Sequence, residues 1–112
     1  MRDTNLGAFE ELVLLAVGSL TDKAYGVAIK EALEAQTGRP PSIGALHSAL
    51  YRLEDKGYLT STEGGATTER GGRRKKFYRL SALGRRALQV AHALRMAFSS
   101  RIPGLNLKSQ RS

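Results

Sequence analysis

Two consecutive prolines, Pro40 and Pro41, divide a stretch of helix-patterned chain and leave it few ways to fold. Neither supplies an amide to continue a helix, and each pushes the residue before it into extended backbone. Upstream, Ala24 to Thr37 carries Val27, Ile29, Ala32 and Leu33 among Lys30, Glu31 and Glu34, and Gly38 ends it. Downstream, Ser42 is placed to cap a new helix. There Ile43, Leu46, Leu50 and Leu53 recur at three- and four-residue steps, the spacing of one helical stripe. Gly57 can adopt the left-handed conformation that closes such a helix. Helix, short stop, capped helix is the outline of a helix-turn-helix.

The face of the second helix away from its leucines is small, hydroxylated and basic, with Gly44, Ser48, Tyr51 and Arg52, and acid enters only at Glu54 and Asp55. Such a face suits a nucleic-acid groove, yet an ordinary amphipathic surface helix would look the same. The chain beyond Gly57 is more specific. Tyr58 to Thr62 and Phe77 to Leu80 have the aromatic and β-branched content of strands. The segment between them, EGGATTERGGRRKK, is too polar to bury and suits a hairpin tip. A helix-turn-helix joined to a hairpin on its C-terminal side is a winged helix. Ahead of it, Ala8 to Leu20 predicts a buried first helix, with Phe9, Leu12, Val13, Ala16, Val17 and Leu20 as a broad apolar face and Glu10 and Glu11 in the first turn. Asp22 is a candidate cap in the connection from this helix to the next.

Charge is concentrated where the hairpin would turn. The net charge is +8 over 112 residues, and Arg70, Arg73, Arg74, Lys75, Lys76 and Arg79 put six cations into ten residues. Excess base favours polyanionic partners, and each cation that neutralises a phosphate releases condensed counterion. On a hairpin beside a reading helix, these cations are expected on the DNA backbone or in a narrow minor groove.

Ser81 predicts the cap of a last helix, roughly Ala82 to Arg101, before Pro103 and Gly104. Leu83, Ala87, Val90, Leu94 and Ala97 recur at alternating four- and three-residue steps, and Ala91 and Phe98 widen that seam. A second copy of the chain is the simplest cover for it, and packing back on its own domain is the alternative.

Other classes find little support. There is no cysteine, hence no disulfide framework or thiolate metal site. His47 and His92 fall on different predicted helices, with no HExxH or acid–His–Ser arrangement, so no catalytic residue, metal or cofactor is implied. The longest apolar run, Leu12 to Val17, is too short to span a bilayer, and the acidic N-terminus is unlike a secretory signal. The expectation is a cytoplasmic protein without a membrane partner.

Three blocks of the chain, LGAFEELVLLAV, AYGVAIKEALEAQTGRPPSIGALHSALYRLEDKGYL and RGGRRKKFYRLSALGRRAL, resemble the PadR family of bacterial transcription regulators in order and spacing, over about residues 6–90. The resemblance implies a homodimeric winged helix on operator DNA, usually a repressor, with a C-terminal helix that pairs the subunits and, in many members, release by a small-molecule effector. It places Ser42, Gly44 and Ala45 at the start of the recognition helix and puts His47 where the family usually has tyrosine. The short C-terminal part resembles the smaller subgroup, with a single dimerising helix.

The expected fold is therefore mainly α with a small β-hairpin: a winged helix-turn-helix over residues 1–80, a dimerisation helix over 81–102, and a flexible tail over 103–112. The expected partners are double-stranded DNA with a two-fold operator and a second copy of the chain. Expected DNA-binding residues are Tyr25, Ser42, Gly44, Ala45, His47, Ser48, Tyr51, Arg52, Arg70, Arg73, Arg74, Lys75 and Lys76. Tyr51, Arg52 and His47 are the candidates for base edges, and the helix amides near Tyr25 and Ser42 for phosphates. Leu83, Ala87, Val90, Ala91, Leu94 and Phe98 are expected in the dimer interface. A winged helix that binds RNA or protein is the competing reading, since fold alone does not decide function.

Overall fold

The computed structural model describes residues 6–64 and 75–105. Four α-helices frame one antiparallel hairpin: α1 (Ala8–Leu20), a short 3-10 turn at Thr21–Lys23, α2 (Gly26–Thr37), α3 (Ile43–Asp55), β1 (Leu59–Glu63), β2 (Lys76–Leu80) and α4 (Ala82–Ser99). The hairpin is in register from Leu59 opposite Leu80 to Glu63 opposite Lys76.

The local signals act as sequence chemistry dictates. Gly38 takes φ +89 and closes α2, and Gly57 takes φ +84 just beyond α3. The Ser42 hydroxyl accepts the Ala45 amide at 3.1 Å and caps α3, and Ser81 does the same for Gly84 at the start of α4. The core lies between α1, α2, α3 and the root of the hairpin. Val13, Leu14, Ile29, Leu46, Ala49, Leu53 and Leu59 are all but inaccessible there.

The structure departs from the periodicity at several points. Leu12 and Leu15 of α1 are exposed while Glu10 is buried, because Glu10 meets Arg52 of α3 and Lys56 at the end of that helix at close range. α2 begins two residues later than expected. Ala24 and Tyr25 belong instead to the hairpin edge: the Tyr78 amide donates to the Ala24 carbonyl at 2.8 Å, and Tyr25 bridges to Phe77. Within α2, Val27 is exposed and only Ile29 and Leu33 are fully buried. Asp22 caps nothing and pairs with Arg79. On α3, Ile43 is 56% exposed rather than the head of the buried stripe, and Ala49 joins the core instead. The stripe needs only Leu46, Ala49, Leu50 and Leu53 to meet α1, so the first turn projects past it.

The largest departure is on α4. Ala87 and Ala91, expected in a seam between two chains, are buried with Gly84 against their own domain. Their methyl-sized side chains let α4 approach α1 closely, and Arg95 of α4 pairs with Glu11 of α1. Leu83, Val90, Leu94 and Phe98 remain exposed. The seam thus divides into an inward stripe of small residues and an outward stripe of large ones beside it. α4 ends at Ser99, earlier than Arg101, and turns off through Gly104 at φ +82.

Candidate nucleic-acid interface

The outward side of α3 is built from two ridges. Ile43, His47 and Tyr51 are spaced at four-residue steps and stand one above the other. All three are exposed, Tyr51 by 72%. The adjoining ridge, Gly44 and Ser48, is low, and a Cβ at Gly44 would meet nothing within 4 Å. Ala45 is exposed at its flank. The first turn holds no acid and one satisfied cap, so the remaining helix-end amides present partial positive charge. A raised ridge beside a shallow one matches the shape that a major groove admits.

The hairpin lies along this helix. Glu54 is the joint: its carboxylate accepts the Ser61 hydroxyl of β1 at 2.5 Å and faces the Lys76 ammonium of β2 at 3.5 Å. Glu54 stands in the last turn of α3, and these two partners offset its charge. Along the other edge of β2, the Tyr25 ring meets Phe77 edge-on at 5.5 Å, and the Lys75 ammonium sits 4.4 Å above the same ring. Tyr25 and Lys75 are thereby brought together at the start of α2, whose first turn also lacks acid. Arg70, Arg73 and Arg74 lie outside the described residues.

Arg52 is placed otherwise than expected. Its Nε donates to Glu10 Oε2 at 2.6 Å, on the side of α3 that faces α1, and Lys56 Nζ reaches Glu10 Oε1 at 2.7 Å. The Gly7 amide completes the set at 3.2 Å. Burial alone would raise the Glu10 pKa, but the hydrogen bonds from Arg52, Lys56 and Gly7 prevail and lower it from 4.5 to about 2. A buried carboxylate needs partners, and Arg52 in the last turn of α3 with Lys56 at its C-cap supplies them. That assignment was not legible from spacing along the chain, because 42 residues separate Glu10 from Arg52.

Among the described residues no three His, Cys, Asp or Glu side chains gather as a metal site, and no helix is long and apolar enough to cross a membrane.

A helix-turn-helix whose exposed reading helix is braced by a basic hairpin defines a winged helix of the nucleic-acid-binding type. The family described as "Transcriptional regulator PadR-like family" matches residues 14–90. The chain belongs to this PadR-like family of transcriptional regulators. It is similar to the structure of a PadR-family transcriptional regulator from Eggerthella lenta, with 30% identity, 80% of this chain and 76% of that one covered, and a TM-score of 0.63. A PadR-like transcription factor from Bacteroides fragilis matches at 20% identity over 83% of this chain and 84% of its own, with a TM-score of 0.71. A PadR-family regulator from Clostridium difficile matches at 19% identity over 84% and 94%, with a TM-score of 0.67. These last two likenesses speak for the fold. No curated protein matches the chain.

Proposed function

We propose that this protein is a homodimeric transcriptional repressor of the cytoplasm, that it binds a two-fold operator in double-stranded DNA, and that a small-molecule effector releases it. The exposed ridge of Ile43, His47 and Tyr51 on a capped helix, with the hairpin braced beside it through Glu54, carries this reading. Ser42, Gly44, Ala45, His47, Ser48 and Tyr51 face the groove, and Tyr25, Lys75 and Lys76 hold the flanking phosphates. The cations at 70, 73 and 74 add to the backbone contacts through the counterions they release.

Dimerisation is supported by the outward stripe of α4. Leu83, Val90, Leu94 and Phe98 expose large apolar surface, and Leu15 of α1, one turn from Glu11, extends it. Such surface on one side of a long helix is suited to a second copy. An effector has room in the cleft of about 450 Å³ between α1 and α4, lined by Leu6, Glu11, Leu94, Arg95 and Phe98. That volume is in the range of small-ligand sites. Leu94 and Phe98 belong both to the cleft and to the dimer stripe, so occupancy would be coupled to how the two copies meet and thus to the spacing of the two reading helices.

Selection of bound duplexes from random DNA tests the reading. The expected product is an inverted repeat with half-site centres about 34–36 Å apart, or a multiple of that. Recovery of no motif, or tighter binding to double-stranded RNA, would overturn it.

A further inference from the structure

The exposed position of Ile43 bears on which base the protein reads. Ile43 is the first residue of α3, directly after its capping serine, and 56% of it is exposed. A β-branched aliphatic side chain on a solvated first turn loses apolar burial that Ala49 gains deeper in the helix. Its neighbours after the cap supply no polar side chain in this turn. Gly44 has no side chain, Ala45 has a methyl, and the Ser42 hydroxyl is engaged with the Ala45 amide. The N-terminal turn of the recognition helix therefore offers a base edge one bulky apolar group, beside the single O–H of its capping serine.

The major groove presents one matching feature. Thymine carries a C5-methyl group there, whereas the other base edges present hydrogen-bonding atoms. The missing Cβ at Gly44, with nothing within 4 Å, lets the backbone of this turn come near the groove floor. His47 stands exposed one turn further along the same ridge.

We propose that Ile43 is a specificity-determining residue that recognises the C5-methyl of one thymine in each half-site of the operator. The inference rests on α3 being the recognition helix of a DNA-binding dimer. It adds a base identity and an apolar mode of readout to that reading.

The test uses the full chain and the duplex recovered by selection. Each thymine of a half-site is replaced in turn by deoxyuridine, symmetrically in both half-sites, so that only a methyl group is lost. One position should weaken wild-type binding by about fourfold per half-site, on the order of one buried CH2 group, and about 15-fold for the two-fold site. The variant Ile43→Ala should bind thymine and deoxyuridine equally at that position and keep the wild-type response at the others. Because the side chain is exposed, its melting temperature should match the wild type. A half-site without thymine, a wild type indifferent to every replacement, or an Ile43→Ala protein that keeps the full penalty would overturn the contact while leaving operator binding intact. If selection recovers no duplex, the operator reading fails and the contact with it.

Discussion

Gly84 of α4 sits against the carbonyl of Tyr58 so closely that a Cβ on Gly84 would overlap that oxygen. Around this point the chain is tied from several directions. The Ser81 amide donates to Tyr58 O at 3.0 Å, the Ser81 hydroxyl to Gly57 O at 2.6 Å, and the Gly84 amide to the Ser81 hydroxyl at 2.9 Å. The end of the reading helix, the start of β1 and the start of α4 thus share one joint. The start of α4 is thereby tied to the root of the hairpin.

Gly84→Ala should for this reason destabilise the fold well beyond a helix-propensity effect. Backbone, and not the far end of a flexible side chain, must yield, so the loss should reach the upper end of overpacking costs, about 3 kcal/mol. Thermal unfolding should show the midpoint lowered by more than about 10 °C. A midpoint within a degree or two of wild type would show that α4 is not clamped at this point.

Stability should also respond to acid through Glu10. Its pKa is lowered from 4.5 to about 2 in the folded chain, so the folded state binds fewer protons than the unfolded one between those values. The stabilisation is complete above about pH 4.5 and drains away as pH falls toward 2, up to about 3 kcal/mol. Urea unfolding at pH 7 and pH 3 measures it. Glu10→Gln should be less stable than wild type at pH 7, with the gap narrowing at pH 3.

Arg52→Ala separates structure from readout. The side chain is occupied with buried Glu10, so its removal should cost about 1–3 kcal/mol in unfolding free energy. The base sequence selected by the variant should match that of wild type. A changed motif would return Arg52 to the base edges.

Leu94→Glu places charge within the outward stripe of α4, where Leu94 is 55% exposed. Light scattering should report a monomer at concentrations where wild type is a dimer, with an unchanged circular dichroism spectrum. Operator affinity should fall steeply, because two half-sites are then no longer linked. A variant that stays dimeric would place the subunit contact elsewhere.

Arg73→Ala combined with Arg74→Ala should weaken binding to every duplex alike. The slope of log K against log salt should become shallower by about 0.9 for each phosphate contact removed. An unaltered slope would take these two cations off the DNA backbone.

Punctuation and capping were legible in the order of residues alone. Pro40–Pro41, Ser42, Gly38, Gly57 and Ser81 act through their own covalent chemistry or through hydrogen bonds a few residues away, and the structure realises each of them. The bounds of α1 were legible in the same way, as was the order helix, helix, helix, hairpin, helix. Of the candidate site, the outward face of α3 was visible in its periodicity. β1 lies one residue later than the expected Tyr58 to Thr62, and β2 starts one residue before Phe77 and ends at Leu80 as expected. The ladder, and not propensity, sets the strand ends.

Tertiary structure decided what periodicity could not. A helical stripe gives a direction but not the width of the surface that covers it, so Ile43 and Leu12 stand exposed while Ala49 is buried. It does not say which half of an apolar seam meets its own domain: Ala87 and Ala91 turn inward because small side chains permit close helix approach, and Leu94 and Phe98 stay outside. Nor does it pair charges distant along the chain. Glu10 with Arg52 and Lys56, and Glu54 with Ser61 and Lys76, exist only once packing has brought helix and hairpin within hydrogen-bond reach.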